Sequence, residues 1–392
     1  ANNTFKRELM RILILGIDGY LGWSLANSLS DKKFSIYGID NFYRRKWVKE
    51  MHSVSAIPIA SMEGRVKAYK KEYKKNIEFH KGDITNYDFL SRVIKKVRPD
   101  VIVHFGQCPS APYSMMNQEK CVWVQQNNLV GTLNLVYAVK EFAPNAHIVK
   151  LGTMGEYGTP NIDIPEGFFE IEYYGRKDRL PFPRQANSWY HLSKVHDSNN
   201  LQFACRNYGI RCTDIMQGIV FGFHPQAHVS VHELNTRLDF DEAFGTIINR
   251  FCCQAVIGFP LTSYGKGTQI RSFLPLSDSM KCIQLVIQNP PAAGEYRVMN
   301  QYANVYSIND LAMKVADVCK EIGISVKVSP IKNPRKEKEK HYYNPHNENL
   351  KKLGYHPSTD FDEEIKKMIL RLLPYQKRIM KYRSILNPTI QW

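Results

Sequence analysis

A chain of 392 residues with 43% hydrophobic and 12% aromatic side chains can bury a large core and is too apolar to be disordered or fibrous. No apolar run is long enough to cross a bilayer and the first residues show no secretory pattern, so a cytoplasmic protein that does not enter a membrane is expected. The formal net charge of +16 raises nucleic-acid binding, but the excess is local. Ten Lys or Arg face three Glu between Asn41 and Lys75, a surplus of +7, and a second basic run lies beyond Ser329. A basic cleft equally serves phosphorylated small molecules, and no nucleic-acid-binding module accompanies it, so no nucleic-acid partner is expected. Eight scattered cysteines form no Cys-x-x-Cys pair and predict reduced, apolar packing with no metal site.

In chain order, the first nine residues precede Met10 and are set aside. Arg11–Leu15 reads as a buried strand that runs straight into Gly16-Ile-Asp18-Gly19-Tyr20-Leu21-Gly22, a Gly-x-x-Gly-x-x-Gly turn opening a helix over Tyr20–Leu29. Glycines tighten such a turn and let backbone amides approach a pyrophosphate at the positive helix end. The next strand, Phe34–Ile39, ends at Asp40, where a carboxylate can take both ribose hydroxyls and favours NAD over NADP. Arg44 and Arg45 follow and could instead embrace a 2′-phosphate, which keeps NADP open. Asp83 and Ile84, after a strand at Ile77–His80, are placed to frame the adenine. Further strands are predicted at Val101–Phe105, Ile148–Leu151 and Arg211–Met216, with helices between them. Strands alternating with helices imply a Rossmann-type, doubly wound parallel sheet.

Thr153 closes the Ile148 strand, and Tyr190 and Lys194 stand four apart on one helix face. There the ammonium can hold the phenol near ionisation, and the Thr153 hydroxyl can share a substrate proton with it. Beyond Gly222 the regularity lapses, leaving helices near Phe240–Ile257 and Ile308–Ile322. The expected division is therefore a NAD-binding domain over residues 10–222 that carries the catalytic side chains, and a smaller mixed α/β substrate domain over residues 223–392. Chain crossings back to the first domain are allowed for.

The combination of Asp40 with Tyr190 and Lys194 in an alternating chain resembles the extended short-chain dehydrogenase/reductase superfamily of nucleotide-sugar enzymes, from Arg11 onward. Two longer blocks, Val149-Lys-Leu-Gly-Thr-Met-Gly-Glu-Tyr-Gly-Thr-Pro-Asn-Ile-Asp-Ile164 and Tyr190-His-Leu-Ser-Lys-Val-His-Asp-Ser198, are similar to the UDP-sulfoquinovose synthase family. Val103-His-Phe-Gly106, Ser110-Ala-Pro-Tyr-Ser-Met115, Asn127-Asn128, Gln217-Gly218, Asn333-Pro-Arg335 and His341-Tyr-Tyr-Asn344 support the likeness. The resemblance implies bound NAD, with Asn41, Gly106, Asn127 and Val220 added to its contacts. It implies UDP-glucose and sulfite, or a protein delivering sulfite, as partners, and a homodimer through helices that include Tyr190 and the region Gln118–Phe142. The implied reaction oxidises C4 of the sugar, with Tyr190 taking the hydroxyl proton. A base then removes the C5 hydrogen while the 6-hydroxyl leaves, sulfite adds at C6, and hydride returns to C4. Thr153, Met154 and Gly155 would line the sugar. Arg271 and Arg335 would grip the diphosphate, with Gln217, Gln269 and His341 beside them.

Two departures from related patterns qualify this reading. dTDP-glucose dehydratases carry Asp-Glu directly after the matching threonine, whereas this chain has Met154-Gly155 and a carboxylate one place later, at Glu156. Glu156 therefore either takes part in the elimination or only anchors the loop, and His191 is a second candidate for proton handling. Gln107-Cys108-Pro109 stands where the plant-type enzymes show Glu-Gln-Arg, so an arginine near the sugar or sulfite is missing. A UDP-glucose 4-epimerase, a 4,6-dehydratase and a non-enzymatic RNA-binding relative remain the alternative readings.

Overall fold

The computed structural model describes residues 9–31, 33–224, 231–338 and 340–392. Seven parallel strands form the main sheet, in the spatial order Tyr296–Gln301, Arg211–Gln217, His147–Thr153, Val101–His104, Met10–Leu15, Phe34–Asp40, Ile77–Lys81. Helices cover both faces, so the central strands read as unbroken apolar runs, and Ile12 to Leu15 are fully buried. The reversal of strand order falls between Met10–Leu15 and Val101–His104, which opens a crevice at the carboxyl ends of these strands.

The chain crosses the expected boundary at residue 222 in both directions. Tyr296–Gln301 returns from the second half to edge the main sheet, whereas Ile219–Phe221 leaves it to pair with Ile270–Pro275. Ile270–Pro275 also pairs antiparallel with Asn304–Ser307, giving a small second sheet. Phe221, Phe251, Phe273, Leu311, Val315 and Ile365 build a separate core beneath it. All eight cysteines are free, and seven of them are buried.

Two segments differ from the sequence reading. The helix expected over Phe240–Ile257 begins only at Ile247. The Asp241 carboxylate accepts from the amides of Ala243 and Phe244, both at 2.9 Å, and turns the chain into a loop. Gly245 lets that loop fold back, since a Cβ there would lie 2.6 Å from the Phe240 Cα. A hairpin, Phe168–Tyr173 and Arg176–Pro181, is inserted between the Thr153 loop and the Tyr190 helix. The helices Gln118–Phe142 and Trp189–Tyr208 pack side by side and expose Val122, Val130, Leu133, Tyr137, Trp189 and Phe203. Among the described residues no helix is long and apolar enough to cross a membrane.

Candidate active site

A cavity of about 430 Å³ runs from the glycine turn to the small second sheet. At its first end Gly16 adopts φ +82°, and a Cβ there would meet the Phe105 carbonyl at 2.8 Å. A Cβ on Gly22 would lie 2.1 Å from the Gly16 oxygen, so the turn closes only because both positions lack side chains. Helix Tyr20–Ser28 starts from Gly19 with no side-chain cap, leaving its first amides for an anion.

Asp40 lines the cavity beside this turn, with its oxygens accepting from the amides of Asp18 (2.8 Å) and Phe42 (2.7 Å). The two arginines offered for a 2′-phosphate are both spent on carboxylates. Arg45 forks onto Asp18 at 2.6 and 2.7 Å, and Arg44 grips Asp239 at 2.7 and 3.0 Å. Asp18 is itself fully buried and also pairs with Arg65 at 2.9 Å, so its carboxylate braces the turn from behind rather than facing the cavity. Tyr20, Leu21, Asn41, Ile84, Gly106, Asn127 and Val220 line the cavity, whereas Asp83 sits behind it and accepts from Asn41 at 3.1 Å. The glycine cradle, the free helix amides and the Asp40 carboxylate on the cavity wall fit NAD.

Burial, and next the charge of Asp18, push the Asp40 carboxyl up to about 6. Only the ionised form accepts both ribose hydroxyls. NAD affinity of dinucleotide-free protein should therefore fall about tenfold per pH unit below 6 and level off above it, as calorimetric titration across that range would show. An affinity flat through 6 would contradict the placement of Asp40. The sign for stability is opposite: a raised carboxyl contributes below its unfolded value, and that contribution is lost as pH rises through about 6.

The chemistry lies further in. Thr153 ends its strand and caps the short turn Met154–Glu156, its hydroxyl oxygen accepting from the Gly155 amide at 3.1 Å. Tyr190 enters at the start of helix Trp189–Tyr208, its amide held by the Ser114 hydroxyl at 3.0 Å. Lys194 stands behind Tyr190, 5.9 Å from the ring centroid, outside the cavity wall. Its ammonium donates to the Leu151 carbonyl at 2.7 Å and to the Gln107 side chain. Burial, with the charges of Glu156 and Cys108, raises the Tyr190 phenol, and burial lowers Lys194 to about 8. The expected lowering of Tyr190 by Lys194 is thus not found in the protein alone, because Lys194 directs its donors elsewhere.

Glu156 faces away from the cavity. It is fully buried and accepts from Arg184 (2.7 Å), Ser198 (2.9 Å), Lys150 (3.2 Å) and the Thr153 amide (3.3 Å). The first of the two roles offered for it, at the sugar, therefore has no geometry here, and the anchoring role does. His191 does line the cavity: its Nε2 edge lies against Gly155, where a Cβ would come within 2.4 Å. Ser188 accepts from the His191 amide at 3.1 Å, and its Oγ meets Nδ1 at 2.9 Å, a contact in which the hydroxyl can donate to Nδ1 and leave the ring proton on Nε2. Burial, then the charges of Arg335 and Arg271, hold this imidazole down to about 3 and hence neutral.

At the far end Arg271 and Arg335 both line the cavity, and Arg271 is steadied by Glu337 and by His341 at 3.4 Å. Gln217 lines it too, although its amide is committed to Ser279 and Gln301, while Gln269 and His341 lie behind. The loop Glu242–Thr246, Tyr343 and Trp392 also lie on the wall, and none of them carries a local sequence signal for that place. Gln107 lines the cavity and joins Lys194 to Asp197 and Thr132, so it positions the lysine; Pro109 is on the wall as well.

The sequence matches the family described as GDP-mannose 4,6 dehydratase over residues 13–368. The UDP-sulfoquinovose synthase of Sulfolobus acidocaldarius is 45% identical over 98% of this chain and 98% of its own length. The chloroplastic UDP-sulfoquinovose synthase of spinach, Spinacia oleracea, is 44% identical over all of this chain and 80% of its own. In fold, the chain is similar to a UDP-glucose 4-epimerase of Thermotoga maritima solved with UDP-glucose (TM-score 0.67, 16% identity, 95% of this chain and 100% of the other). It is also similar to a dTDP-glucose 4,6-dehydratase of Bacillus anthracis in complex with NAD (TM-score 0.66, 18% identity, 96% and 99%).

Proposed function

The chain belongs to the UDP-sulfoquinovose synthase family, and from that premise we propose that it joins UDP-glucose and sulfite into UDP-sulfoquinovose and water, with the residue roles that follow. The cofactor is NAD, which supplies reversible hydride exchange at C4 of the sugar and is no net reactant. Tyr190 takes the 4-hydroxyl proton, and Thr153, its oxygen already fixed by the Gly155 amide, donates along the same path. Lys194, held by Leu151 and Gln107, offsets the phenolate charge from behind.

With C4 a ketone, the C5 hydrogen is acidic and the 6-hydroxyl can leave. The neutral His191, with Nε2 against Gly155, is the hydrogen-bond donor we assign to that leaving oxygen, which departs as water with the proton taken from C5. Sulfite then adds at C6 of the enone. Met154 and Gly155 put apolar wall where a second carboxylate would repel an anion. Arg271 and Arg335, both on the cavity wall, receive the diphosphate.

The observation that carries this reading is the wall after Thr153, where Met154, Gly155 and His191 meet the cavity and Glu156 turns inward to Lys150 and Arg184. The test is His191→Asn in NAD-loaded protein given UDP-glucose and sulfite. Sulfonated product should form about 100-fold more slowly, while UDP-glucose still produces the absorbance of reduced dinucleotide. Sulfonation at the unaltered rate would remove His191 from the elimination. If even the unaltered protein gave only UDP-galactose or a stable 6-deoxy-4-keto sugar, the epimerase or dehydratase reading would replace this one.

A further inference from the structure

Arg335 presents a physical problem that its own neighbours only partly solve. It lies beside Arg271, like charge against like charge, and its Nε is buried with no acceptor. Nothing acidic within hydrogen-bonding reach of the guanidinium fixes its direction among the described contacts. The indole of Trp392 does: it lies 4.9 Å from the guanidinium carbon, with the Tyr264 ring a looser 6.0 Å away.

Trp392 is not loosely placed. Its amide donates to the Pro334 carbonyl at 2.7 Å, and its carbonyl accepts from the Lys336 amide at 2.5 Å, so two backbone bonds bracket Arg335. Three residues earlier, the Thr389 amide and hydroxyl and the Ile390 amide all donate to the Glu242 carboxylate, at 2.8, 2.7 and 2.9 Å. Glu242 belongs to the loop that accepts from Ser110 through Ala243 at 2.6 Å and from Arg44 through Phe244 at 3.2 Å, on the Tyr190 side of the cavity. Glu242, Arg335, Lys336 and Trp392 all line the cavity. The segment 389–392 thus links the Glu242 loop to the arginine end of the cavity.

We propose that Trp392 is a substrate-positioning residue that aims the Arg335 guanidinium at the nucleotide diphosphate, and that Glu242 fixes Trp392 in turn. An aromatic face restrains a guanidinium without occupying its hydrogen-bond donors, so those that face the cavity stay available to phosphate oxygens. A carboxylate in the same place would compete with the substrate. The inference rests on Arg271 and Arg335 being the diphosphate clamp.

UDP itself is the probe, titrated into NAD-loaded protein. Trp392→Ala should weaken UDP binding about tenfold and raise the KM for UDP-glucose by a similar factor, with kcat little changed. Trp392→Phe should restore most of the affinity, which loss of a merely structural contact elsewhere would not predict. Glu242→Gln should weaken UDP binding in the same direction, and it carries the test should Trp392→Ala fail to fold. UDP binding unchanged in folded Trp392→Ala overturns the proposal. Failure of the unaltered protein to bind UDP would instead overturn the clamp assignment on which it rests.

Discussion

Tyr190→Phe is expected to lower turnover about 1,000-fold while the protein keeps its dinucleotide and its stability. The phenol oxygen is the group at the cavity wall that can accept the C4 hydroxyl proton, whereas Lys194 lies behind it with its donors already engaged. Burial raises the Tyr190 phenol in the protein alone, so ionisation has to be driven by what binds, and removing the oxygen removes the proton path entirely. Adding UDP-glucose to the variant should produce no absorbance of reduced dinucleotide. Turnover within tenfold of the unaltered protein would show that another group takes the proton. The substitution deletes one oxygen and keeps the ring packed against the apolar cluster that includes Trp47, Tyr113 and Phe244, so folding should be unaffected.

Glu156→Gln is expected to destabilise the protein by about 3 kcal/mol, measured as a lowered denaturation midpoint, and to reduce activity through that loss. Lys150, Arg184, Glu156 and Asp214 form a fully or nearly fully buried ion cluster beneath the catalytic turn. Neutralising one acid leaves two buried cations facing one carboxylate, and a buried charge without its partner is far more costly than a surface one. The capping of Thr153 by Glu156 would weaken as well, loosening the loop that presents Met154 and Gly155. A variant of undiminished stability that accumulated reduced dinucleotide on UDP-glucose would place Glu156 at the sugar instead.

Local pattern was enough to read the sheet and its cofactor turn. Ile12 to Leu15, Gly16, Gly22 and Asp40 carry a strand, a tight turn and a carboxylate at the end of the next strand, and each is set by local geometry. The strands Tyr296–Gln301 and Ile270–Pro275 were missed, since their partners lie across the chain and neither has clean alternation to announce it. The helix start at Ile247 was misplaced because an Asp241 side chain, not hydrophobic period, decides where the turn ends. At the site, the grouping of Tyr190, Lys194 and Thr153 at one end of the cavity was legible from spacing. The direction in which Glu156 points was not, because it depends on Lys150, Arg184 and Ser198 arriving from three separate elements. Asp18 and Arg45 were likewise drawn to the cofactor by proximity in sequence, whereas folding pairs them with each other. Trp392 reaches the cavity from the opposite end of the chain, a placement no local signal encodes.

If C4 is oxidised only transiently while a sulfonate is added at C6, the hydrogen first removed from C4 returns to it. The mass spectrum and isotope content of the product made by NAD-loaded protein from UDP-glucose deuterated at C4, with sulfite present, test this. A sulfonated UDP-sugar that retains the deuterium is the predicted result; an unsulfonated product, or a sulfonated one whose deuterium has been lost, would contradict it.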